Sequence, residues 1–187
     1  MKKLMTVVLG CAIASGAMAK TAGFQASLTP DIAVQDRDTE ITGVSIGVWN
    51  ENPAPKFNWQ LGFVNGTTGD STGVQWFVFL PTFYNYAENF TGLQFGWVNN
   101  TSNDFVGWQN GFVNMTFGEF VGFQSGVVNY AGTMTGFQWG LVNYAKSAHN
   151  CLQLGLVNII EDNAWFSDFP GDLAQGMVIV NWSFGGE

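Results

Sequence analysis

Few residues in this chain combine a reactive group with a spacing that would support catalysis. His149 is the single histidine of the 187-residue sequence, and it lies two positions before Cys151. An imidazole close to a thiol can activate a cysteine nucleophile. His149 falls in a polar stretch typical of a turn, however, and Cys151 occupies a position that is glycine in most copies of a repeat. We therefore interpret Cys151 as a packed thiol and predict no enzymatic activity.

A second candidate for chemistry is the acidic segment Asp36-Arg37-Asp38-Thr39-Glu40. Its three carboxylates offer the oxygen ligands that divalent cations prefer, but the segment lacks the glycine and the spacing of a calcium-binding loop. His149 has no further ligand at the spacing of a zinc site. The sequence therefore predicts a solvated acidic loop and a solvated turn, with no metal and no cofactor.

The residues that recur with regular spacing are amides. From position 105 to position 160 one phrase appears four times, in the order Gly or a substitute, hydrophobic, Gln, variable, Gly, hydrophobic, Val, Asn. With more divergent earlier copies included, the phrases begin at 43, 58, 73, 92, 107, 122, 136 and 151, and most are 15 residues apart. The chain is a repeat protein. The residues that define the repeat are Gln60, Gln75, Gln94, Gln109, Gln124, Gln138, Gln153, Asn65, Asn99, Asn114, Asn129, Asn143 and Asn158.

Each copy of the phrase predicts one β-strand and one turn. Its two glycines disfavour a helix, and its aromatic and β-branched residues favour a strand. Strand alternation places Phe137 and Trp139 on one face and Gly136, Gln138 and Gly140 on the other. Between positions 57 and 160 every charged residue lies in a linker between phrases. Neither strand face is therefore patterned for bulk water.

Uncharged, alternating strands of nine to eleven residues are typical of membrane-spanning β-barrels. About ten such strands can be counted from Gly23 to Gly176. The sequence thus favours an all-β fold, a ten-stranded antiparallel up-and-down barrel of outer-membrane type. The amides would fill its narrow interior, and large apolar side chains would face lipid. The lipid-facing candidates are Trp59, Trp76, Phe95, Trp97, Trp108, Phe123, Phe137, Trp139 and Leu154.

A parallel β-solenoid with about 15 residues per coil is the alternative architecture. The near-constant period favours it, and its aligned Gln and Asn side chains would stack into ladders along the axis. Two observations favour the barrel. A coil must reverse direction at least twice, whereas each copy has one polar turn, and a soluble solenoid is expected to carry charge on its outward face.

Residues 1–19 predict a secretory signal peptide, because Lys2 and Lys3 precede an apolar run and Ala17-Met18-Ala19 forms a small-x-small cleavage site. Lipoprotein processing at Cys11 is the alternative, disfavoured because the hydrophobic core before it is short. Cleavage before Lys20 leaves residues 20–187 as a single repeat-built β domain. Two of the six basic residues are lost, so four remain against fourteen acidic ones, a net charge of −10. That charge argues against nucleic acid as a partner.

The repeats resemble a bacterial surface-repeat family whose units read approximately Gly-Leu-Gln-Ile-Gly-Leu-Val-Asn followed by a short turn, as at Gly136–Lys146. Chains of that family often end similarly to Asn181-Trp182-Ser183-Phe184. The resemblance covers about Gly43 to Phe184 and implies an exported, envelope-associated protein without catalytic residues. A weaker likeness to curli amyloid subunits rests on Gln-x-Gly-x-x-Asn, as at Gln124–Asn129. The unit here is shorter and more aromatic, and this likeness bears on the solenoid alternative.

These features predict an exported outer-membrane protein of a Gram-negative-type bacterium, with a structural or narrow-pore role. Membrane lipid is its expected partner, together with further copies of itself or other envelope proteins. The alternative function is that of a surface-exposed β-solenoid in adhesion or self-assembly. Both functions depend on where the apolar side chains point, which the arrangement of the strands determines.

Overall fold

The computed structural model describes residues 20–77 and 81–184, and the predicted signal peptide lies outside these ranges. Strands account for 74% of the described residues, which contain no helix. The all-β prediction is therefore confirmed. In these two ranges no helix is long and apolar enough to cross a membrane.

The strands follow one another with short connections until a longer loop precedes the last one. Their bounds are β1 Thr21–Thr29, β2 Ile32–Ala33, β3 Glu40–Pro53, β4 Asn58–Thr68, β5 Asp70–Gln75, β6 Tyr84–Ala87, β7 Asn89–Phe95, β8 Val98–Thr101, β9 Phe105–Trp139, β10 Val142–Ile160 and β11 Gly176–Ser183. The longest strands, β9 and β10, continue through bends of the chain, so a single strand extends over parts of several repeats.

Successive strands pair in parallel, in the order β1, β3, β4, β5, β7, β9 and β10. A second parallel stack joins β4 to β9 through β6 and β8. Paired residues occupy the same position in consecutive repeats, as for Gly92 and Gly107 or Asn99 and Asn114. Each repeat is therefore one coil of a parallel β-solenoid with about nine turns.

The barrel prediction is wrong, and the solenoid alternative describes the fold. An up-and-down barrel requires antiparallel neighbours, whereas antiparallel strand pairs here are confined to the two ends, β2 on β1 and β11 on β10. Each coil contains a second reversal that the polar-turn criterion does not detect. It is made by a glycine and an apolar residue, at Gly96-Trp97 and at Gly140-Leu141. A coil consequently holds two strands and two bends.

The same positions point inward in coil after coil. In one coil the buried side chains are Gln109, Asn114, Thr116 and Phe120. The aromatic row stacks face to face, with the rings of Phe105 and Phe120 5.3 Å apart and nearly parallel. The core is therefore a set of four columns along the axis, two of amides, one mainly of small side chains and one mainly of apolar side chains, which includes the stacked rings of Phe90, Phe105 and Phe120.

The N-terminal end of the solenoid is closed by the β1–β2 hairpin and the acidic loop that follows it. Arg37 of this loop donates to Glu51 of β3, with 2.5 Å between Nη2 and Oε1, and the Tyr86 hydroxyl of β6 donates to the same carboxylate. These bonds tie the end of the solenoid to coils further along the axis.

The C-terminal end is closed by β11, which runs antiparallel to β10, and by the loop before it. This loop pairs with the outer edge of β11, where Leu173 N donates to Trp182 O and Phe184 N donates to Gly171 O. Covering an edge strand in this way blocks its pairing with another chain.

Gly122 illustrates how tightly the coils are stacked. Its φ is +139°, and a Cβ there would lie 2.0 Å from the carbonyl oxygen of Gly107 in the preceding coil. Gly122→Ala is expected to lower the free energy of unfolding by about 3 kcal/mol, measured by denaturant titration. Gly176→Ala is the control, because a Cβ at Gly176 meets no atom within 4 Å. An equal loss in both variants would contradict this account.

Candidate interaction surface

The glutamines of the repeat form a continuous column inside the solenoid. Each Nε2 donates to the Oε1 of the glutamine one coil nearer the N-terminus, through six hydrogen bonds of 2.7–2.8 Å between Gln153 and Gln60. A buried polar group left without its partner costs about 1–3 kcal/mol. The column therefore holds consecutive coils in register, since a shifted coil would leave buried amides unpaired.

The asparagines form a second column with the opposite polarity. Each Nδ2 donates to the Oδ1 of the asparagine one coil nearer the C-terminus, through seven hydrogen bonds of 2.7–3.1 Å between Asn50 and Asn158. Hydrogen bonds in a chain polarise one another. Because the hydrogen bonds of the Gln column and the Asn column run in opposite directions, the dipoles of the two columns oppose each other along the axis.

All thirteen residues predicted to define the repeat lie in these columns and are buried. The Asn column also includes Asn50 and Asn85, which the sequence-based set lacks. Asn85 lies ten positions after Gln75, whereas in other coils Asn lies five positions after Gln. The irregular spacing hides Asn85 in the sequence, yet Asn85 bonds to both Asn65 and Asn99 and the ladder is unbroken.

The nine lipid-facing candidates all lie on the outside of the solenoid, and lipid contact stays a prediction for them. Trp59, Trp76, Trp97, Trp108, Trp139 and Leu154 are exposed, and Phe95, Phe123 and Phe137 are half-buried. Several stack along the axis, as Phe123 does on Phe137 with ring centroids 5.3 Å apart and planes 11° apart. Stacked neighbours therefore cover one face of each other, whereas Trp139, with no ring beside it among the described residues, is 62% exposed.

One outward row forms an apolar ridge, at the position where the chain makes its glycine-hydrophobic bend. We call this row the hydrophobic ridge. Trp97 packs edge-on against Phe83 and Phe112, with centroid distances of 5.0 and 5.8 Å. Seven of the eight side chains are exposed, with exposed fractions from 38% at Val127 to 65% at Leu156. The ridge consists of Val48, Phe63, Phe83, Trp97, Phe112, Val127, Leu141 and Leu156.

The opposite edge of the solenoid carries the charges, because the polar linkers make the other bend of each coil. Its carboxylates accept hydrogen bonds from neighbouring linkers. Asp104 Oδ1 accepts from Glu119 N at 2.8 Å, and Glu88 Oε2 accepts from Gly69 N at 2.7 Å. We call this the acidic edge, since Lys146 is the single basic residue among Asp70, Glu88, Asp104, Glu119 and Lys146.

The described groups with catalytic or metal-binding potential do not form a site. Cys151 is buried, and burial raises the pKa of its thiol to about 12. His149 is exposed. In the acidic loop, Asp36 pairs with Lys20, and Arg37 pairs with Asp31 and Glu51. Within residues 20–77 and 81–184 no group of three or more His, Cys, Asp or Glu side chains is arranged to hold a metal ion.

Comparisons with protein-family models, curated proteins and solved structures find no match to this chain. The resemblance to the surface-repeat family therefore stays a prediction. Of the ridge residues, Trp97 alone is among the nine lipid-facing candidates, although strand alternation also places Leu141 and Leu156 on the large apolar face. A signal for the others was present, because the position after the second glycine of the phrase is apolar in every copy that keeps this glycine.

Gln109 tests the contribution of the amide columns to stability. Its side chain donates to Gln94 and Thr101 and accepts from Gln124 and Thr116. Gln109→Ala removes these bonds and leaves a cavity, so the free energy of unfolding should fall by about 3 kcal/mol. The exposed Gln175 serves as control, and Gln175→Ala should cost less than about 1 kcal/mol. Equal denaturation midpoints for the two variants would show that the column contributes little.

The buried Cys151 thiol gives a test of the packed interior. A thiol whose pKa is about 12 is almost entirely protonated at pH 8, and the thiolate is the reactive form. Protein lacking residues 1–19 should therefore react with a thiol reagent at least about a hundredfold more slowly when folded than in denaturant. Comparable rates in the two states would contradict a buried position for Cys151.

Proposed function

We propose that the protein is an exported, surface-exposed β-solenoid that acts in adhesion or self-assembly and has no catalytic role. The observation that carries this proposal is the continuous hydrophobic ridge, which spans eight coils while the charges lie on the opposite edge. Contiguous apolar patches on a soluble surface mark sites of interaction. An uninterrupted row of this length is a surface for another macromolecule rather than for a small solute.

The interior supports an interaction role over a narrow pore. Gln, Asn, Thr and Phe side chains fill the space between the strands, and the amides bond to one another rather than to water. A conducting pore needs a continuous polar path that solvent can enter. The absence of a catalytic role in this proposal is supported by Cys151, whose buried thiol is protonated.

Export to the cell surface is supported by the signal-peptide pattern at residues 1–19. The mature chain would carry the acidic edge and a net charge of −10, which favours solubility outside the membrane. The β-rich repeat resembles surface-repeat proteins, and a coil held by internal amide ladders needs no disulfide to persist outside the cell.

Surface exposure can be tested by labelling intact cells that express the complete chain with a membrane-impermeant amine reagent. The described lysines Lys20, Lys56 and Lys146 are all exposed. The protein should be labelled on intact cells, and it should leave the cell surface in high salt or denaturant without detergent. A variant lacking residues 2–19 is the matched control and should be labelled after lysis alone. Labelling of the complete chain that also requires lysis, or release that requires detergent, would refute the proposal.

A further inference from the structure

We propose that the hydrophobic ridge joins two copies of this chain side by side and antiparallel, through an isologous interface. This inference rests on the proposed role in self-assembly. In such an interface the same surface of each copy contacts the other across a twofold axis. The ridge suits this arrangement because it is apolar along its whole length. Each copy would present a row of side chains with the same spacing, set by the distance of about 4.8 Å between strands.

The area of the ridge is close to what a stable dimer buries. Large aromatic side chains have areas of about 150–250 Å², and Val and Leu lie near the lower end of that range. The exposed fractions of the seven exposed ridge residues then leave on the order of 700 Å² of apolar surface per copy, against about 800 Å² per partner in a standard interface. The ridge spans eight coils, or about 35 Å, a length that suits an interface of that area.

The distribution of side-chain size along the ridge places the strongest contacts at its centre. Four ridge residues precede the midpoint and four follow it, and the midpoint falls between Trp97 and Phe112. An antiparallel pair would set Trp97 of one copy beside Phe112 of the other, next to the twofold axis. Large aromatic side chains at the centre of an interface typically dominate its binding energy. Val48 and Leu156 would meet at each end.

The charges at the two ends of the solenoid favour the antiparallel orientation. The C-terminal loop holds four acidic residues, Glu161, Asp162, Asp168 and Asp172. The N-terminal end holds four acidic residues as well, but Lys20 and Arg37 form ion pairs there. A parallel pair would set the two C-terminal loops side by side, whereas an antiparallel pair places each beside the less acidic N-terminal end. The acidic edges face away from the interface in both cases.

A second copy fits the ridge better than a sugar polymer. Carbohydrate rings stack on free aromatic faces. On one outward row of this protein, Phe123 and Phe137 cover one face of each other, with planes 11° apart. At the ridge itself Trp97 and Phe112 meet edge to face, with planes 78° apart. Apolar side chains of another copy can pack between such rings without needing a free face.

A second copy also fits the ridge better than a lipid surface. Proteins that lie on membranes usually combine an apolar face with Lys and Arg that contact anionic headgroups. Between positions 57 and 160 the single basic residue is Lys146, and it belongs to the acidic edge. The described residues from 57 to 160 therefore offer no cation beside the ridge to attract anionic lipid.

The association can be measured by sedimentation velocity on protein purified from cells that express the complete chain. A two-copy species is expected at micromolar concentration. Phe112→Glu should raise the dissociation constant at least about 30-fold, as expected for a central anchor. Phe117→Glu is the matched control, because Phe117 is 52% exposed against 57% for Phe112, also contacts one neighbouring ring, and lies on the acidic edge. The control should change the constant by less than about threefold, with equal thermal midpoints for both variants.

The orientation can be tested with cysteines, because the buried Cys151 does not react. Val48→Cys combined with Leu156→Cys should give covalent dimers on oxidation, whereas Leu156→Cys alone should not. Dimers from Leu156→Cys alone would overturn the antiparallel arrangement. If the protein is monomeric, or if Phe112→Glu and Phe117→Glu weaken association equally, the interface proposal fails.

Flotation with vesicles of phosphatidylcholine and phosphatidylglycerol tests whether lipid, rather than a second copy, occupies the ridge. A protein that stays monomeric but floats with vesicles, and loses flotation in Phe112→Glu, would assign the ridge to lipid and overturn the proposal. None of these outcomes depends on export. Surface labelling can succeed while the dimer is absent, and the dimer can form although labelling fails, so the two proposals can fail separately.

Discussion

The hydrogen bonds between buried amides are the constraint on which the rest of this structure depends. An amide in a dry interior must find a donor and an acceptor, and in a parallel solenoid the same residue one coil away supplies both. The requirement tolerates changes in the length of a coil as long as the amides still meet. Gln138 donates to Gln124 at 2.7 Å across a coil of 14 residues, and Asn85 donates to Asn99 at 2.7 Å beside an insertion.

The sequence was sufficient to predict the strands, the repeat and the amides that define it, because these depend on local composition and spacing. It misled on the direction of the strands. Gln138 and Asn143 are five positions apart, so one continuous strand would place them on opposite faces, and yet both are buried. Only a bend between them allows this. The bend at Gly140-Leu141 is apolar, and a search for polar turns does not find it.

The absence of charge on the strand faces was the other misleading feature. A coil two strands wide has little interior, and its four inward columns are taken by amides, small side chains and a mainly apolar row that includes the stacked rings of Phe90, Phe105 and Phe120. Trp and Phe residues at other positions must then lie outside, as Trp108 and Phe112 do. The usual pattern of apolar core and polar surface is thus largely inverted. The amide columns supply order inside, and the acidic edge supplies the hydration that the faces lack.

The same amides also limit how copies of the protein can associate. Continuing the columns from one copy to the next would require free amide groups at both ends. At the N-terminal end, Gln25 Nε2 donates to Gln35 O, and its Oε1 accepts from Gln35 N. At the C-terminal end, Asn181 Nδ2 donates to Ala174 O and its Oδ1 accepts from Trp182 N. Gln25 and Asn181, which lie beyond the ends of the columns, are thus committed to their own chain, so growth along the axis would first have to break these bonds. Lateral association through an exposed apolar row requires no such rearrangement.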